Sequence, residues 1–106
     1  MGEILHVDPS LIGLLDSGDF IPVIAPIGVG HAGETYNINA DTVAGKVAAA
    51  LKAEKLILLT DIEGVKVDGA LASSLTVRDV ERLTASGVIS KGMIPKTGCC
   101  VEALAG

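Results

Sequence analysis

The stretch NINADTVAGKVAAALKA, residues 37–53, decides how this chain folds. Alanine dominates it, and a valine or leucine recurs at every fourth position. This pattern predicts a helix over residues 40–53 with an apolar stripe along one side. Asn39 or Asp41 is a suitable N-cap for that helix. The small residues beside the stripe predict that the helix lies close to a sheet.

Apolar runs flank this helix on both sides. Residues 55–60, KLILLT, are typical of a central parallel strand that is covered on both faces. Residues 21–27, IPVIAPI, predict a buried strand, although their two prolines cannot donate to a sheet ladder. Residues 34–39 alternate and predict a second strand, which the glycine-rich turn at residues 28–33 joins to the first.

Start and stop signals predict the other helices. Asp8-Pro9 is typical of an N-cap followed by the first helical residue, after a short strand at residues 4–7. We expect that helix to end at Gly18 in a left-handed conformation.

Two further helices follow near the end of the chain. Residues 76–79, TVRD, resemble a capping box for a helix that runs to about residue 85 and ends at Gly87. A last helix is predicted over residues 93–104. The alternation of helices and strands predicts a single α/β domain, residues 1–106, with a mostly parallel sheet flanked by helices.

Composition excludes several classes of function. The net charge is −5 and the chain has one Tyr and one Phe, so we expect no nucleic-acid partner. No apolar run approaches the roughly 20 residues that cross a bilayer, so we expect no membrane partner. Cys99 and Cys100 are adjacent and share no ligand spacing with a histidine. We therefore expect reduced thiols in a cytoplasmic protein, and no metal site.

Polar residues gather at the starts of two predicted helices. Asn37, Asn39 and Asp41 lie at a strand-to-helix junction, where plain capping is one interpretation and ligand binding is the other. Lys96 falls in the first turn of the last helix, where the helix dipole disfavours a cation. A bound anion would resolve that conflict. Free backbone N–H groups at two such helix starts, together with Lys96, would suit a phosphate.

Two other segments are candidates for nucleotide contacts. Asp61 follows the predicted central strand, where open α/β sheets bind ligands, although a turn-forming aspartate explains it equally well. Residues 28–33, GVGHAG, match the dinucleotide fingerprint, with Glu54 at about the expected distance for its acidic partner. The strand-like residues 34–39 follow instead of a helix, so a hairpin or lid is the favoured interpretation.

Four segments together resemble the acetylglutamate kinases of the amino-acid kinase superfamily. They are IPVI at 21–24, YNINAD at 36–41, LILLTD at 56–61 and GMIPK at 92–96. The resemblance extends over residues 3–104. The TDIEGV segment at 60–65 is shared across the superfamily, whereas the second and fourth segments are more selective.

The resemblance implies an amino-acid-kinase-like fold and transfer of the ATP γ-phosphate to the side-chain carboxylate of N-acetyl-L-glutamate, in arginine biosynthesis. Lys96 would steady the charge on the transferring group, and Asp41 would hold the catalytic lysines. Asn37 and Asn39 would bind acetylglutamate, and Mg²⁺ would arrive with ATP. The implied nucleotide-binding residues are Thr60, Asp61, Ile62, Glu63, Gly64, Val65, Lys66, Val88, Ile89 and Ser90.

Members of that family are more than twice as long and begin with a glycine-rich loop that carries a second catalytic lysine. We therefore expect this chain to be the C-terminal, ATP-binding portion, truncated at both ends and inactive alone, with exposed apolar faces that favour a homo-oligomer. Two alternatives remain open. One is a non-enzymatic α/β association module that does not bind ATP, and the other is an amino-acid kinase with a different acceptor.

Overall fold

The structure, a computed structural model, describes residues 2–106. Within that range the helices are α1 (Ser10–Ser17), α2 (Ala40–Leu51), α3 (Val77–Ala85) and α4 (Met93–Ala105). The strands are β1 (Ile27–Val29), β2 (Thr35–Asn37), β3 (Lys66–Val67) and β4 (Ala70–Leu71). Each helix in residues 2–106 is too short or too polar to cross a membrane.

Helices α2 and α4 lie side by side and run in the same direction. Near their starts, Lys96 of α4 contacts Asp41 of α2. Further along, Lys46 Nζ of α2 lies 2.6 Å from Glu102 Oε1 of α4. The second contact lies closer to the C-terminal end of both helices than the first contact does. The N-terminal ends of α2 and α4 therefore lie at the same end of the pair.

The two helices approach most closely at Gly45 and Cys99. A Cβ atom on Gly45 would lie 2.7 Å from the Cys99 carbonyl oxygen and 2.9 Å from the Cys99 Cβ. Gly45 and Ala48 are the buried residues of α2, and Cys99 is the buried residue of α4. The small residues of α2 therefore contact a helix, whereas the sequence predicted that they would contact a sheet.

Helix α3 begins with the predicted capping box. The Asp79 N–H donates to Thr76 Oγ1 at 3.2 Å, and the Thr76 N–H donates to Asp79 Oδ2 at 2.8 Å. The bond from the Thr76 backbone holds the pKa of Asp79 below its usual value. Gly87 follows the end of the helix, as predicted, and it adopts a left-handed conformation (φ 83°). The chain then turns back, so that Ile89 is buried in the core.

Strands β1 and β2 form the predicted hairpin. They are antiparallel, with Ile27 opposite Asn37 and Val29 opposite Thr35. Helix α2 starts three residues after this hairpin ends, so the strand-to-helix junction lies where the sequence predicted it. The second hairpin, β3–β4, was not predicted. Its turn places Asp68 and Gly69 in left-handed conformations, with φ of 53° and 79°.

The N-terminal prediction needs correction in three places. Residues 4–7 form no strand. Helix α1 starts at Ser10 with Pro9 as its N-cap, while Asp8 Oδ1 accepts hydrogen bonds from the Ser10 N–H and hydroxyl. The left-handed residue after the helix is Asp19 (φ 63°), and Gly18 has φ −90°. The Asp8 carboxylate thus accepts from the first N–H of the helix, as a cap does, but Asp8 lies one position further before the helix than predicted.

The predicted central strand at residues 55–60 is not assigned as a strand. With partners among residues 2–106, these residues make no backbone hydrogen bond, and in residues 21–25 only Ala25 makes one. The strands among residues 2–106 pair in two antiparallel hairpins, so the mostly parallel sheet stays a prediction. An extended segment without a neighbour forms no ladder, which explains why the apolar pattern appears here without a sheet.

We predict that Gly45→Ala destabilises the protein by about 1–2 kcal/mol. Alanine favours a helix over glycine by about 1 kcal/mol, but overpacking typically costs about 1–3 kcal/mol. The cost of overpacking exceeds the gain in helix propensity here, because the new Cβ meets Cys99 backbone atoms that only a shift of the helix can move. Urea unfolding measures the change.

The matched control is Gly98→Ala, in α4, where nothing lies within 4 Å of the added Cβ. This change should stabilise the protein by up to about 1 kcal/mol. Equal stabilisation by both substitutions would contradict the close crossing of α2 and α4.

Candidate active site

An ion pair joins α2 to α4 at their shared N-terminal end. Lys96 Nζ donates to Asp41 Oδ1 at 3.1 Å and to Asp41 Oδ2 at 3.3 Å. The Lys96 and Asp41 side chains are 26% and 19% exposed, so the pair is largely shielded from water. The structure thus brings the two predicted catalytic residues into contact although they are 55 positions apart in the chain.

The N-terminal ends of two helices surround this pair. Each helix N-terminus carries about half a positive charge, and here two of them lie together. Asp41 offsets the charge of Lys96, so the partial charges that remain at the pair are those of the helix ends. The expected free backbone donors of α4 are mostly occupied, because Met93 and Ile94 donate to Ser90 and Lys91. The Lys96 ammonium is therefore the group best able to meet an anion.

A cavity of about 530 Å³ lies beside the start of α4. It is lined by residues 61–66, residues 88–90 and Met93. Nine of the ten residues expected to contact a nucleotide are among them, and Thr60 is the exception. Two segments that are 22 positions apart in sequence therefore form one concave surface.

The cavity combines apolar walls with a few charged groups, as is common in small-molecule sites. Asp61 and Glu63 supply carboxylates, and Lys66 Nζ lies 3.4 Å from Glu63 Oε2. Gly64, between them, has φ 142°, a backbone conformation that favours glycine. This turn sets the carboxylates along one wall of the cavity.

Met93 connects the cavity to the ion pair, and the sequence analysis did not assign it a role. It lines the cavity and is also the first residue of α4. Lys96 follows three positions later, about 4.5 Å further along the helix axis. Because residues three positions apart are neighbours on a helix surface, Met93 and Lys96 lie on the same side of α4. The sequence feature that could have identified Met93 is its spacing of three positions from Lys96 on the predicted helix.

The two asparagines at the junction have different environments. Asn39 is the N-cap of α2, and its Oδ1 accepts a hydrogen bond from the Thr42 N–H at 3.2 Å. The capping interpretation therefore holds for Asn39. Asn37 is the last residue of β2 and is exposed, while its carbonyl accepts a hydrogen bond from the Gly2 N–H at 3.1 Å.

The glycine-rich stretch at residues 28–33 belongs to the hairpin. Gly33 has φ 85° and precedes β2 rather than a helix. The Gly30 N–H donates to the Glu34 carbonyl at 2.7 Å and closes the turn. The hairpin interpretation is therefore correct for this stretch, which does not line the cavity described above.

Cys99 lies directly beneath the ion pair. Its Sγ donates to the Lys96 carbonyl at 3.0 Å, and the side chain is buried. Burial, reinforced by neighbouring Cys100, raises the pKa of Cys99 to about 11. Both cysteines are free thiols. Across residues 2–106, no three His, Cys, Asp or Glu side chains gather as a metal-binding group.

Comparison with known proteins places this chain in a family. Residues 2–106 match the amino acid kinase family. The chain belongs to the amino acid kinase family. A crystal structure of smu.665 from Streptococcus mutans UA159 superposes with a TM-score of 0.89 at 37% identity, covering 94% of this chain and 41% of that one. The fold is therefore an α/β kinase-like fold.

Curated relatives resemble the chain more closely in sequence. The acetylglutamate kinase of Geotalea daltonii is 62% identical over 107 residues, covering 100% of this chain and 37% of the relative. The acetylglutamate kinase of Citrifermentans bemidjiense is 59% identical, covering 99% of this chain and 36% of the relative. The chain thus spans 36–37% of the length of these two relatives.

We predict that iodoacetamide at pH 8 labels Cys100 much faster than Cys99. With a pKa of about 11, Cys99 carries only about one thiolate per thousand molecules at that pH, and its sulfur is buried. Mass spectrometry of the Cys100→Ser and Cys99→Ser variants measures each thiol alone. Equal labelling rates at pH 8 would contradict the burial of Cys99 at the crossing.

Proposed function

We propose that this chain is the nucleotide-binding portion of an acetylglutamate kinase. One observation carries the proposal: the Asp41–Lys96 pair lies one helical turn from the cavity that Met93 lines. The two curated relatives described above carry that enzyme's name and support the choice of reaction. In that reaction the bond between the γ-phosphoryl group of ATP and the ADP portion breaks, and ADP departs. The phosphoryl group bonds to a side-chain carboxylate oxygen of N-acetyl-L-glutamate, which gives an acyl phosphate.

The cavity would hold the base and ribose of ATP, with residues 61–66 on one side and residues 88–90 on the other. The triphosphate would then extend along the start of α4 towards Lys96. Phosphoryl transfer depends mainly on positioning and on stabilising charge, because the protein does little covalent chemistry. The Lys96 ammonium would stabilise the negative charge on the transferring group.

Asp41 would position Lys96 rather than exchange a proton. Both carboxylate oxygens accept from the ammonium, which fixes its direction at the end of a flexible side chain. Asn37 and Asn39 would meet the acetylglutamate, since they precede Asp41 on the junction that leads into the site. Asn39 would do so while its Oδ1 caps α2, which leaves its amide nitrogen for the substrate.

The oxygen-rich side chains of the cavity suit Mg²⁺, which prefers one or two carboxylates together with substrate phosphates. Asp61 and Glu63 would hold such an ion, and the ion would neutralise charge on the phosphates. The proposal also places the whole enzyme in the cytoplasm as a homo-oligomer. There the segments at 21–26 and 55–60 would be strands of a larger, mostly parallel sheet.

The test replaces the matched segment of the Geotalea daltonii enzyme with this chain. The acetylglutamate-dependent release of ADP by the resulting hybrid enzyme is then measured. We predict an active hybrid. Lys96→Ala should lower its turnover by a factor on the order of 10²–10³, because it removes a preorganised charge aimed at the transferring group.

The control is Lys55→Ala, at an exposed lysine that does not line the cavity, which should leave turnover unchanged. Turnover of the Lys96→Ala hybrid within about threefold of the parent would exclude the role of Lys96. A correctly folded hybrid without any turnover would favour the non-enzymatic module. Activity with another amino acid only would favour a different acceptor.

A further inference from the structure

Gly45 lies at the point where the two helices of the candidate site come closest. A Cβ atom there would lie 2.7 Å from the Cys99 carbonyl oxygen, 2.9 Å from the Cys99 Cβ and 3.1 Å from the Cys99 Cα. None of these atoms moves when a side chain changes its rotamer, so the contact is one between the two helix backbones. Gly45 and Cys99 are both buried, and the contact therefore belongs to the interior of the helix pair rather than to a surface.

The Asp41–Lys96 pair is tied to this crossing through both helices. Asp41 precedes Gly45 by four positions, which is about 6 Å along α2. Lys96 precedes Cys99 by three positions, and the Cys99 thiol donates to the Lys96 carbonyl at 3.0 Å. A helix is stiff over one turn, because its backbone hydrogen bonds join each residue to the one four positions earlier. A displacement of the helices at the crossing is therefore passed on to the pair.

A side chain at position 45 requires a displacement that the pair does not tolerate. Ordinary van der Waals contact begins at 3.4 Å, so the shortest contact would have to lengthen by about 0.7 Å, from 2.7 Å. The Lys96 ammonium already lies 3.1 Å and 3.3 Å from the two Asp41 oxygens, near the upper limit for an N–H···O hydrogen bond. After such a displacement Lys96 would either lose the carboxylate or follow it away from α4. In both cases the ammonium leaves its present position.

The cavity of about 530 Å³ does not depend on α2 in this way. Over residues 2–106 its lining consists of residues 61–66, residues 88–90 and Met93, with none from α2. Met93 belongs to α4, as Lys96 does. A shift of α2 away from α4 would therefore leave the cavity unchanged and would move the Asp41 carboxylate relative to it. Binding in the cavity and placement of the ammonium are thus separable.

We propose that Gly45 is a positioning residue for phosphoryl transfer, because its missing side chain lets α2 approach α4 closely enough for Asp41 to hold the Lys96 ammonium. Gly45 does not line the cavity, and it acts only through that pair. The inference rests on the proposed function, in which Lys96 stabilises the transferring group. Misplacing a catalytic group by about 1 Å can lower a rate by a factor on the order of 10², so a small displacement is enough.

The experiment places Gly45→Ala in the hybrid enzyme described above. We expect kcat to fall by a factor on the order of 10–10². The KM for ATP should stay within about threefold of the parent value, because the lost interaction is one made in the transition state. In the Lys96→Ala hybrid, Gly45→Ala should change kcat by less than about twofold, since the group through which it acts is gone.

Two controls separate positioning from a loss of stability. Thr76→Ala removes the capping box of α3 and destabilises the protein by a comparable amount, but it leaves the crossing intact. Gly98→Ala adds the same methyl group to α4, where nothing in residues 2–106 lies within 4 Å of it. Both variants should keep the parent kcat. A loss of kcat in Thr76→Ala as large as that in Gly45→Ala would identify a stability effect and overturn the proposal.

A second measurement needs no turnover, which separates this inference from the proposed function. In the free chain, a double-mutant cycle of Asp41→Asn and Lys96→Met is measured by urea unfolding, with and without Gly45→Ala. We expect Gly45→Ala to remove at least about half of the coupling between the two side chains. An inactive parent hybrid would count against the proposed function alone. The inference fails if Gly45→Ala leaves the coupling unchanged, if it leaves the kcat of an active hybrid unchanged, or if the KM for ATP rises as much as kcat falls.

Discussion

The close approach of α2 and α4 is the contact on which the rest of this structure depends. Gly45 permits it, because any side chain at that position would meet the Cys99 backbone. The crossing fixes how the two helices are aligned along their length. Asp41 and Lys96 each lie about one turn before the crossing, so their contact is a direct consequence of it. The close packing of the two helix backbones thereby fixes where the charged groups of Asp41 and Lys96 lie relative to each other.

That alignment also explains why a lysine is tolerated in the first turn of α4. The dipoles of two parallel helices disfavour a cation at this end, and partial burial raises the cost. Asp41 compensates with two short contacts. Beneath the pair, burial keeps Cys99 protonated by raising its pKa to about 11, so it adds no negative charge there.

Sequence reasoning succeeded where the signal was local. The capping box at residues 76–79 and the hairpin before α2 each depend on neighbouring residues or on a short motif. It failed where the partner was distant. Gly45 lowers the helix propensity of residues 40–53, and the reason for a glycine there lies 54 positions away in α4. Residues 55–60 looked like a central strand, but no backbone partner for them lies among residues 2–106, so that strand stays a prediction.

A double-mutant cycle on Asp41 and Lys96 tests the central claim most directly. Urea unfolding of Asp41→Asn, Lys96→Met and the double variant gives the coupling free energy between the two side chains. For a pair this well shielded we expect about 1 kcal/mol or more, and about 0.5 kcal/mol or less for the more exposed Lys46–Glu102 pair. Additive effects of Asp41→Asn and Lys96→Met would show that the two helices do not hold these groups together, and would contradict the account.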